Sequence, residues 1–419
     1  MTPEETGINI DFLQRLIGKL LQIHGTMTPS EIAKEVCLSP PVVASIVQGL
    51  MRLQLVEARG LAGNDVRSEL RYVLGANGRA WALESMALSS YIGPAPVTLD
   101  DFTKQIRSQS ILRERISRPQ IIEGLSHLVL PENLIDQLGP AVNSGRSLLL
   151  YGDSGNGKTS IAEAVGSFFR EIIFIPHCIE VGGQIINFFD ATIHKPVSEF
   201  GEDTEQSNLL NSKFDARWIP IHRPIVMTGG ELTLEMLDLI FNSNSNFYEA
   251  PTHLKAAGGI FVVDDFGRQR TNSQAFLNRW IIPLERGHDY LTLHTGKKFA
   301  VPFDQLVIFS TNIEPVKLAD TAGLRRLVYK IFIPSPTSAD FKLIFERACK
   351  AGEIPFDEEA YDTFFRNYYQ TNGAILSGAH PKYIVDYIKA ICSYRGVAPL
   401  MTAETLDTAW SNLHVRSPV

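Results

Sequence analysis

The sequence predicts an α/β core, a parallel sheet with helices on both faces, preceded by a unit of helices and a hairpin and followed by an all-helical tail. Three observations predict it. The stretch "SLLLYGDSGNGKTSIAEAVGSFF" runs from an apolar strand through a glycine-rich loop straight into a helix. "IFVV" and "QLVIFSTN" are short apolar runs of the kind buried on both faces of a parallel sheet. Beyond residue 335 the apolar residues recur at helical spacing in "SADFKLIFERACKAG", "EEAYDTFFRNYYQ", "PKYIVDYIKAICSY" and "AETLDTAWSNL".

At 419 residues the chain exceeds one ordinary domain. The pattern divides it into residues 1–90, a linker and mixed helical stretch at 91–140, the α/β core at 141–335 and the helical lid at 336–419. Its charge is mildly acidic, net −7 from 39 basic and 46 acidic residues, so nothing global attracts nucleic acid or an anionic membrane. Cys37, Cys178, Cys349 and Cys392 lie far apart without a C-x-x-C pair, which argues against a zinc site or a disulfide framework. "MTPEETGINI" lacks the features of a signal peptide, and no run approaches the ~20 apolar residues of a membrane span. A cytoplasmic protein without a membrane span is expected.

The first helix is read from "DFLQRLIGKLLQI". "TPSEIAKEV" starts a second, with Thr28 as cap, Pro29 at the first helical position and Glu31 placed to complete a capping box. "SPPVVASIVQGLMRLQ" repeats that start with Ser39 and Pro40. Two strand-like stretches, "LVEARG" and "ELRYVLG", flank a turn at Gly63, Asn64 and Asp65. The order resembles a winged helix-turn-helix, a module that often lays its second helix in the DNA major groove. Here that helix offers one base, Arg52, with Ser45 and Gln48, and acids balance bases over residues 1–90. Arg67, Arg71 and Arg79 remain available to phosphates, but the charge balance favours protein docking or dimerisation over DNA binding. "YIGPAPVTLDD" then reads as a linker broken by Gly93, Pro94 and Pro96.

Gly152, Asp153, Ser154, Gly155, Asn156, Gly157, Lys158 and Thr159 fit G-x-x-x-x-G-K-T between strand and helix. The glycines let backbone N–H groups face phosphate oxygens, and the helix N-terminus adds positive potential. Lys158 is expected to reach the β- and γ-phosphates, and the Thr159 hydroxyl to bind Mg²⁺. "GGIFVVDDFGRQR" is a strand ending on Asp264 and Asp265, where open α/β sheets bind ligands. Asp264 is the expected Mg²⁺ partner. Asp265 is placed to orient and deprotonate the attacking water, one methylene shorter than the glutamate usual at that position. The strand "QLVIFSTN" brings Asn312 beside those acids, toward the γ-phosphate or the water. Arg325 and Arg326 follow in "GLRRLVYKIFI", either as a solvated pair or as a finger reaching a neighbour's site.

Between loop and acids, "HCIEVGGQIINFF" reads as a hairpin turning at Gly182 and Gly183, and "RPIVMTGGELTLEMLDLIF" as strand, glycine turn and helix. Phe247 and Tyr248 suit a grip on substrate in a pore or, more commonly, a core or interface. "DYLTLH" and "KKFAVPF" flank Thr295 and Gly296 as a further hairpin.

In this order the pieces resemble an AAA+ ATPase over roughly residues 120–419. The resemblance implies Walker A Lys158 and Thr159, Walker B Asp264 and Asp265, sensor-1 Asn312, and a trans-acting finger at Arg325 or Arg326. Lys382 in "GAHPKYIVDYI" stands where the family's lid usually carries an arginine. It contacts phosphate there or is simply solvated. The hairpin looks like the pre-sensor-1 hairpin of MoxR-like chaperones and bacterial enhancer-binding activators, but the activators' GAFTGA loop is absent. Together these imply ATP and Mg²⁺ as cofactors, a homo-oligomeric ring of six, and remodelling of a protein client. A DNA-linked regulator and a slow nucleotide switch are the alternatives.

Overall fold

A computed structural model of the protein describes residues 2–61, 69–197 and 214–413. The expected turn at Gly63, Asn64 and Asp65, and Arg67, lie outside the described residues.

The N-terminal unit comprises α1 (Ile10–His24), α2 (Pro29–Val36), α3 (Pro40–Arg52), the antiparallel strands β1 (Val56–Leu61) and β2 (Leu70–Leu74), and α4 (Ala76–Leu88). The capping box at α2 is formed in both directions: the Glu31 N–H donates to Thr28 Oγ1 at 3.1 Å and the Thr28 N–H to Glu31 Oε2 at 2.8 Å. Ser39 precedes α3 without a side-chain capping bond, leaving Pro40 to set the start of that helix. Apolar faces of α1, α2 and α3 close a core of Leu16, Leu20, Ile32, Val43, Ile46 and Leu50.

The stretch read as a linker is built into the fold. Tyr91, Ala95 and Val97 are buried, the Ala95 N–H donates to the Val36 carbonyl at 2.7 Å, and the Tyr91 hydroxyl donates to the Pro94 carbonyl at 2.9 Å. It ends in β3 (Val97–Thr98), followed by α5 (Leu99–Ser108), α6 (Arg118–Gly124) and α7 (Glu132–Ser144). Glycine and prolines mark the irregular backbone here, but the apolar residues between them pin it down.

The fold class expected of the core is found. Its strands are β4 (Leu148–Tyr151), β9 (Ile225–Thr228), β12 (Ile260–Val263), β15 (Leu306–Thr311) and β16 (Tyr329–Phe332), all parallel in the order β16-β4-β15-β12-β9. Alternation along each strand sorts the side chains to two faces. Leu148, Leu150, Ile260, Val262 and Ile308 pack against α7 and α8 (Lys158–Val165). Leu149, Phe261, Val263, Val307 and Phe309 pack on the other side against α10 (Ser273–Arg279), α11 (Ile281–Arg286) and the fully buried Trp280 between them.

Between β4 and β12 the chain builds a second layer. β5 (Ile172–Pro176) pairs with β8 (Trp218–His222), while β6 (Cys178–Val181), β7 (Gln184–Asn187), β10 (Ile240–Asn242) and β11 (Phe247–Glu249) join β3 in the order β10-β11-β7-β6-β3. The hairpin at Gly182 and Gly183 is present. The helix expected in "ELTLEMLDLIF" is not. Only a short 3-10 turn, Glu235–Leu237, forms, because Leu232 and Leu237 turn under the core sheet and Ile240–Asn242 pairs with β11. Tyr248 is a core residue, 1% exposed, and Phe247 packs on the N-terminal core with its ring edge-on to Tyr91 at 5.6 Å. After the short helix α9 (Thr252–Lys255), the hairpin β13 (His288–Thr292) and β14 (Lys298–Pro302) leads into β15.

α12 (Pro315–Leu318) and α13 (Thr321–Arg326) precede β16, and four helices close the chain: α14 (Ser338–Ala351), α15 (Glu358–Phe365), α16 (Ala379–Arg395) and α17 (Ala403–Leu413). They pack round Phe341, Phe345, Tyr361, Phe364, Ile384 and Trp410. Among the described residues no helix is long and apolar enough to cross a membrane.

Candidate active site

The chain visits the core strands in an order that runs outward from β4 to β9, back through β12 to β15, and then across to β16. The carboxyl ends of β4, β15 and β12 are thereby adjacent, and a crevice opens there. The loops after these strands, the segment before α7 and the lid helices α14 and α16 enclose a cleft of about 810 Å³. The cleft brings together Ser154, Gly155, Asn156, Gly157, Lys158 and Thr159 of the loop with Asp264, Asp265, Asn312 and Lys382. Gly152 and Asp153 contribute their carbonyls from below, as acceptors for Lys158.

Two glycines are fixed by contact. Gly152 has φ 144°, and a Cβ there would lie 2.3 Å from the Ile333 carbonyl oxygen. Gly155 has φ 80°, and its Cβ would meet Ser377 Oγ at 2.4 Å. The loop therefore touches the lid directly. Asn156 bridges the two by accepting the Gly378 N–H at 3.2 Å, and its Nδ2 donates to Ser335 Oγ at 3.2 Å at the end of the core.

Lys158, only 6% exposed, donates to the carbonyls of Gly152 at 3.0 Å and Asp153 at 2.7 Å. Burial holds its ammonium below the ordinary lysine pKa, and the carboxylates of Asp264, Asp265 and Asp153 oppose that shift. Thr159 donates its hydroxyl to both oxygens of Asp264, at 2.9 and 3.1 Å. A hydroxyl and a carboxylate held in register are hard oxygen donors that fit Mg²⁺. Asn312 Nδ2 donates to Asp265 Oδ1 at 3.4 Å. Asp265 itself has φ 48°, in the left-handed region.

Lys382 is exposed in the first turn of α16 and lines the cleft. Arg325 and Arg326 do not line it. Arg326 pairs with Glu285 at 3.1 Å and donates to the Ala322 carbonyl, whereas the Arg325 side chain is exposed.

Sequence reasoning missed the side walls. Leu128, Leu130, Ile344, Ala348 and Val385 line an apolar slot, and Arg347 of α14 links its two walls by donating to the carbonyls of Ser126 at 2.9 Å and Leu128 at 3.2 Å. No local motif marks these residues, since helix packing alone assembles them. Gln269 was also missed. It is buried behind the acids and its amide bonds the backbone of both.

Residues 337–412 match a family described as a domain of unknown function, DUF8689. No curated protein sequence matches the chain. Among solved structures, similarity is found to NtrX from Brucella abortus, crystallised in complex with ATP, at 14% identity and TM-score 0.40, over 66% of this chain and 54% of that one. The chain thus spans about half the length of NtrX. It is also similar to two variants of RuvB from Thermotoga maritima. One is 11% identical with TM-score 0.38 over 68% of this chain and 70% of that one, and the other 12% identical with TM-score 0.37 over 73% of each.

Proposed function

We propose that the protein is an AAA+ ATPase that couples ATP hydrolysis to remodelling of a protein partner, as MoxR-like chaperones do. The observation that carries this reading is the convergence in one cleft of a phosphate loop, the Thr159–Asp264 pair and the Asp265–Asn312 pair. Backbone N–H groups of residues 154–159 and Lys158 bind the β- and γ-phosphates, with Lys158 exchanging its two loop carbonyls for phosphate oxygens. Thr159 and Asp264 would hold Mg²⁺, which when bound neutralises charge on the phosphate oxygens. Asp265 accepts the proton of the attacking water, and Asn312 orients that water beside it. The apolar slot takes the base. Lys382 and the N-terminus of α16 face the cleft, so the phosphates bear on the lid angle, and Asn156 carries that contact back to the loop.

Arg325 is the finger that completes a neighbour's site in a ring, with six copies the expected number. The N-terminal winged helix docks on a client or an assembly rather than on DNA, because the outer face of α3 presents Pro41, Ser45, Gln48, Met51 and a single base, Arg52. The test is Mg²⁺-dependent ATP turnover by the full chain and by Lys158→Ala. The variant should lose turnover by at least about 10²-fold, and equal rates would refute the reading. Duplex DNA titrated at low and moderate salt should show no binding, and salt-sensitive binding would favour the regulator instead.

A further inference from the structure

We infer that Gln269 is the positioning residue for Asp265, holding the acid turn in a left-handed backbone geometry that favours an aspartate over a glutamate. This deepens the proposed hydrolysis and rests on it.

Gln269 is 8% exposed, and its amide makes four bonds to backbone. The two Nε2 hydrogens are donated to the carbonyls of Asp264 at 3.1 Å and Gly229 at 3.2 Å, one of them shared with the Asp265 carbonyl at 3.4 Å, and Oε1 accepts the Gly267 N–H at 2.8 Å. One side chain thus ties the turn of residues 264–267 to the loop that leaves β9. The opposite side is tied to β15. The Phe266 N–H donates to the Ser310 carbonyl at 2.7 Å, and Thr311 Oγ1 donates to the Phe266 carbonyl at 2.7 Å. Between these two anchors sits Asp265 with φ 48°.

For an L-residue the left-handed region brings Cβ against the following carbonyl oxygen, and aspartate and asparagine enter it more readily than other non-glycine residues. Glutamate is less favoured there, although Glu353 of this chain adopts φ 57°. The clamp therefore bears on the choice of residue: a turn held left-handed favours the shorter acid and sets its carboxylate 3.4 Å from Asn312 Nδ2. Without Gln269 the turn loses its tie to the β9 loop and Asp265 relaxes toward negative φ, carrying its carboxylate away from Asn312. A longer acid recovers reach from that relaxed backbone.

The experiment compares four full-length chains: wild type, Gln269→Ala, Asp265→Glu and the double variant. ATP turnover is measured with Mg²⁺, and affinity is read with a fluorescent ATP analogue. Gln269→Ala should lower kcat on the order of 10²-fold, with the analogue's Kd changed less than about twofold. Asp265→Glu should lower kcat in the wild-type background and raise it in the Gln269→Ala background. A purely structural role for Gln269 would not reverse that sign. Unchanged kcat in Gln269→Ala, a parallel loss of affinity, or the same sign for Asp265→Glu in both backgrounds would overturn the assignment. If Gln269→Ala fails to fold, Gln269→Glu keeps the size and the Gly267 acceptor while removing both N–H donors, and the same loss of kcat is expected. Should wild type and Lys158→Ala turn over ATP equally, the proposed function itself falls. The clamp is then read from hydrogen exchange at the Gly267 amide. Exchange at least about tenfold faster in Gln269→Ala supports it, and unchanged exchange overturns it.

Discussion

Lowering the pH should loosen the seam between the N-terminal unit and the inserted sheet, and His177 sets how much. Its ring sits between β5 and β6, with Nε2 3.9 Å from Cys37 Sγ of the N-terminal unit and one edge against the Phe189 ring, centroids 5.9 Å apart. Burial pushes its pKa down from 6.5 to about 4. The fold therefore favours the neutral ring, while the unfolded chain takes up a proton near the ordinary value. Between those two values the unfolded state binds more protons, so stability is fully present above pH 6.5, falls as pH falls, and is lost below about pH 4. At pH 5 the ratio of the two proton-binding terms is about 30, which is about 2 kcal/mol. The Cys37 and Cys178 thiols, pushed up to about 11 and about 12, stay neutral throughout this window and add nothing. Urea unfolding of wild type and His177→Gln at pH 7.5 and pH 5.0 isolates the term, because every other titrating group is common to both chains. Wild type should lose about 2 kcal/mol more than the variant on acidification. Equal losses in the two chains would refute the reasoning.

Arg325→Ala should leave the melting temperature unchanged yet cut turnover by about 10³-fold, and mixing it with Lys158→Ala subunits should restore part of the activity, since each supplies what the other lacks. Arg326→Ala should instead remove the Glu285 pair and lower stability by no more than about 1 kcal/mol, with turnover nearly intact. Asn156→Ala removes the bond from the loop to Gly378 of the lid and should weaken lid closure by about 1 kcal/mol, read as a wider mean distance between spin labels on α7 and α16. An unchanged distance distribution would show that the bridge does not hold the lid.

The parts of the candidate site that lie on one short stretch of chain were legible as a group, and the structure places them in one cleft. A glycine-rich loop between strand and helix has few other uses, and Asp264, Asp265 and Asn312 were found from the strands that end on them. The expected helix at residues 231–241 failed for the opposite reason. Its leucines recur at helical spacing, but the nearby edge of β11 offers strand pairing that a helix cannot use. Gln269 was invisible because its role depends on Gly229, which lies 40 residues earlier in the chain. Nothing in "DFGRQR" announces such a partner. The slot walls were hidden likewise, being drawn from the segment before α7 and from two lid helices.

The inserted sheet changes what the N-terminal unit is to the core. A flexible linker would leave that unit tethered, free to reorient while ATP is processed. Instead Cys178 and Ile185 of the inserted sheet lie in the same buried cluster as α1, α2 and α3, and Phe247 seals its edge. The same sheet grips the hairpin that feeds β15. The His294 ring stacks on Phe241 at 4.2 Å, and the His294 backbone N–H donates to the Tyr248 hydroxyl at 2.8 Å. Contacts thus run without a break from Asn312 along β15 to the hairpin, across Tyr248 and Phe247, and into the N-terminal core. A path of contacts does not establish coupling, which needs an element with two arrangements biased from both ends. It does constrain where such an element can lie. With the N-terminal unit sharing a core with the inserted sheet, and Leu291, Phe299 and Val301 of the hairpin buried against the same sheet, any relative motion must break buried packing or move these parts together.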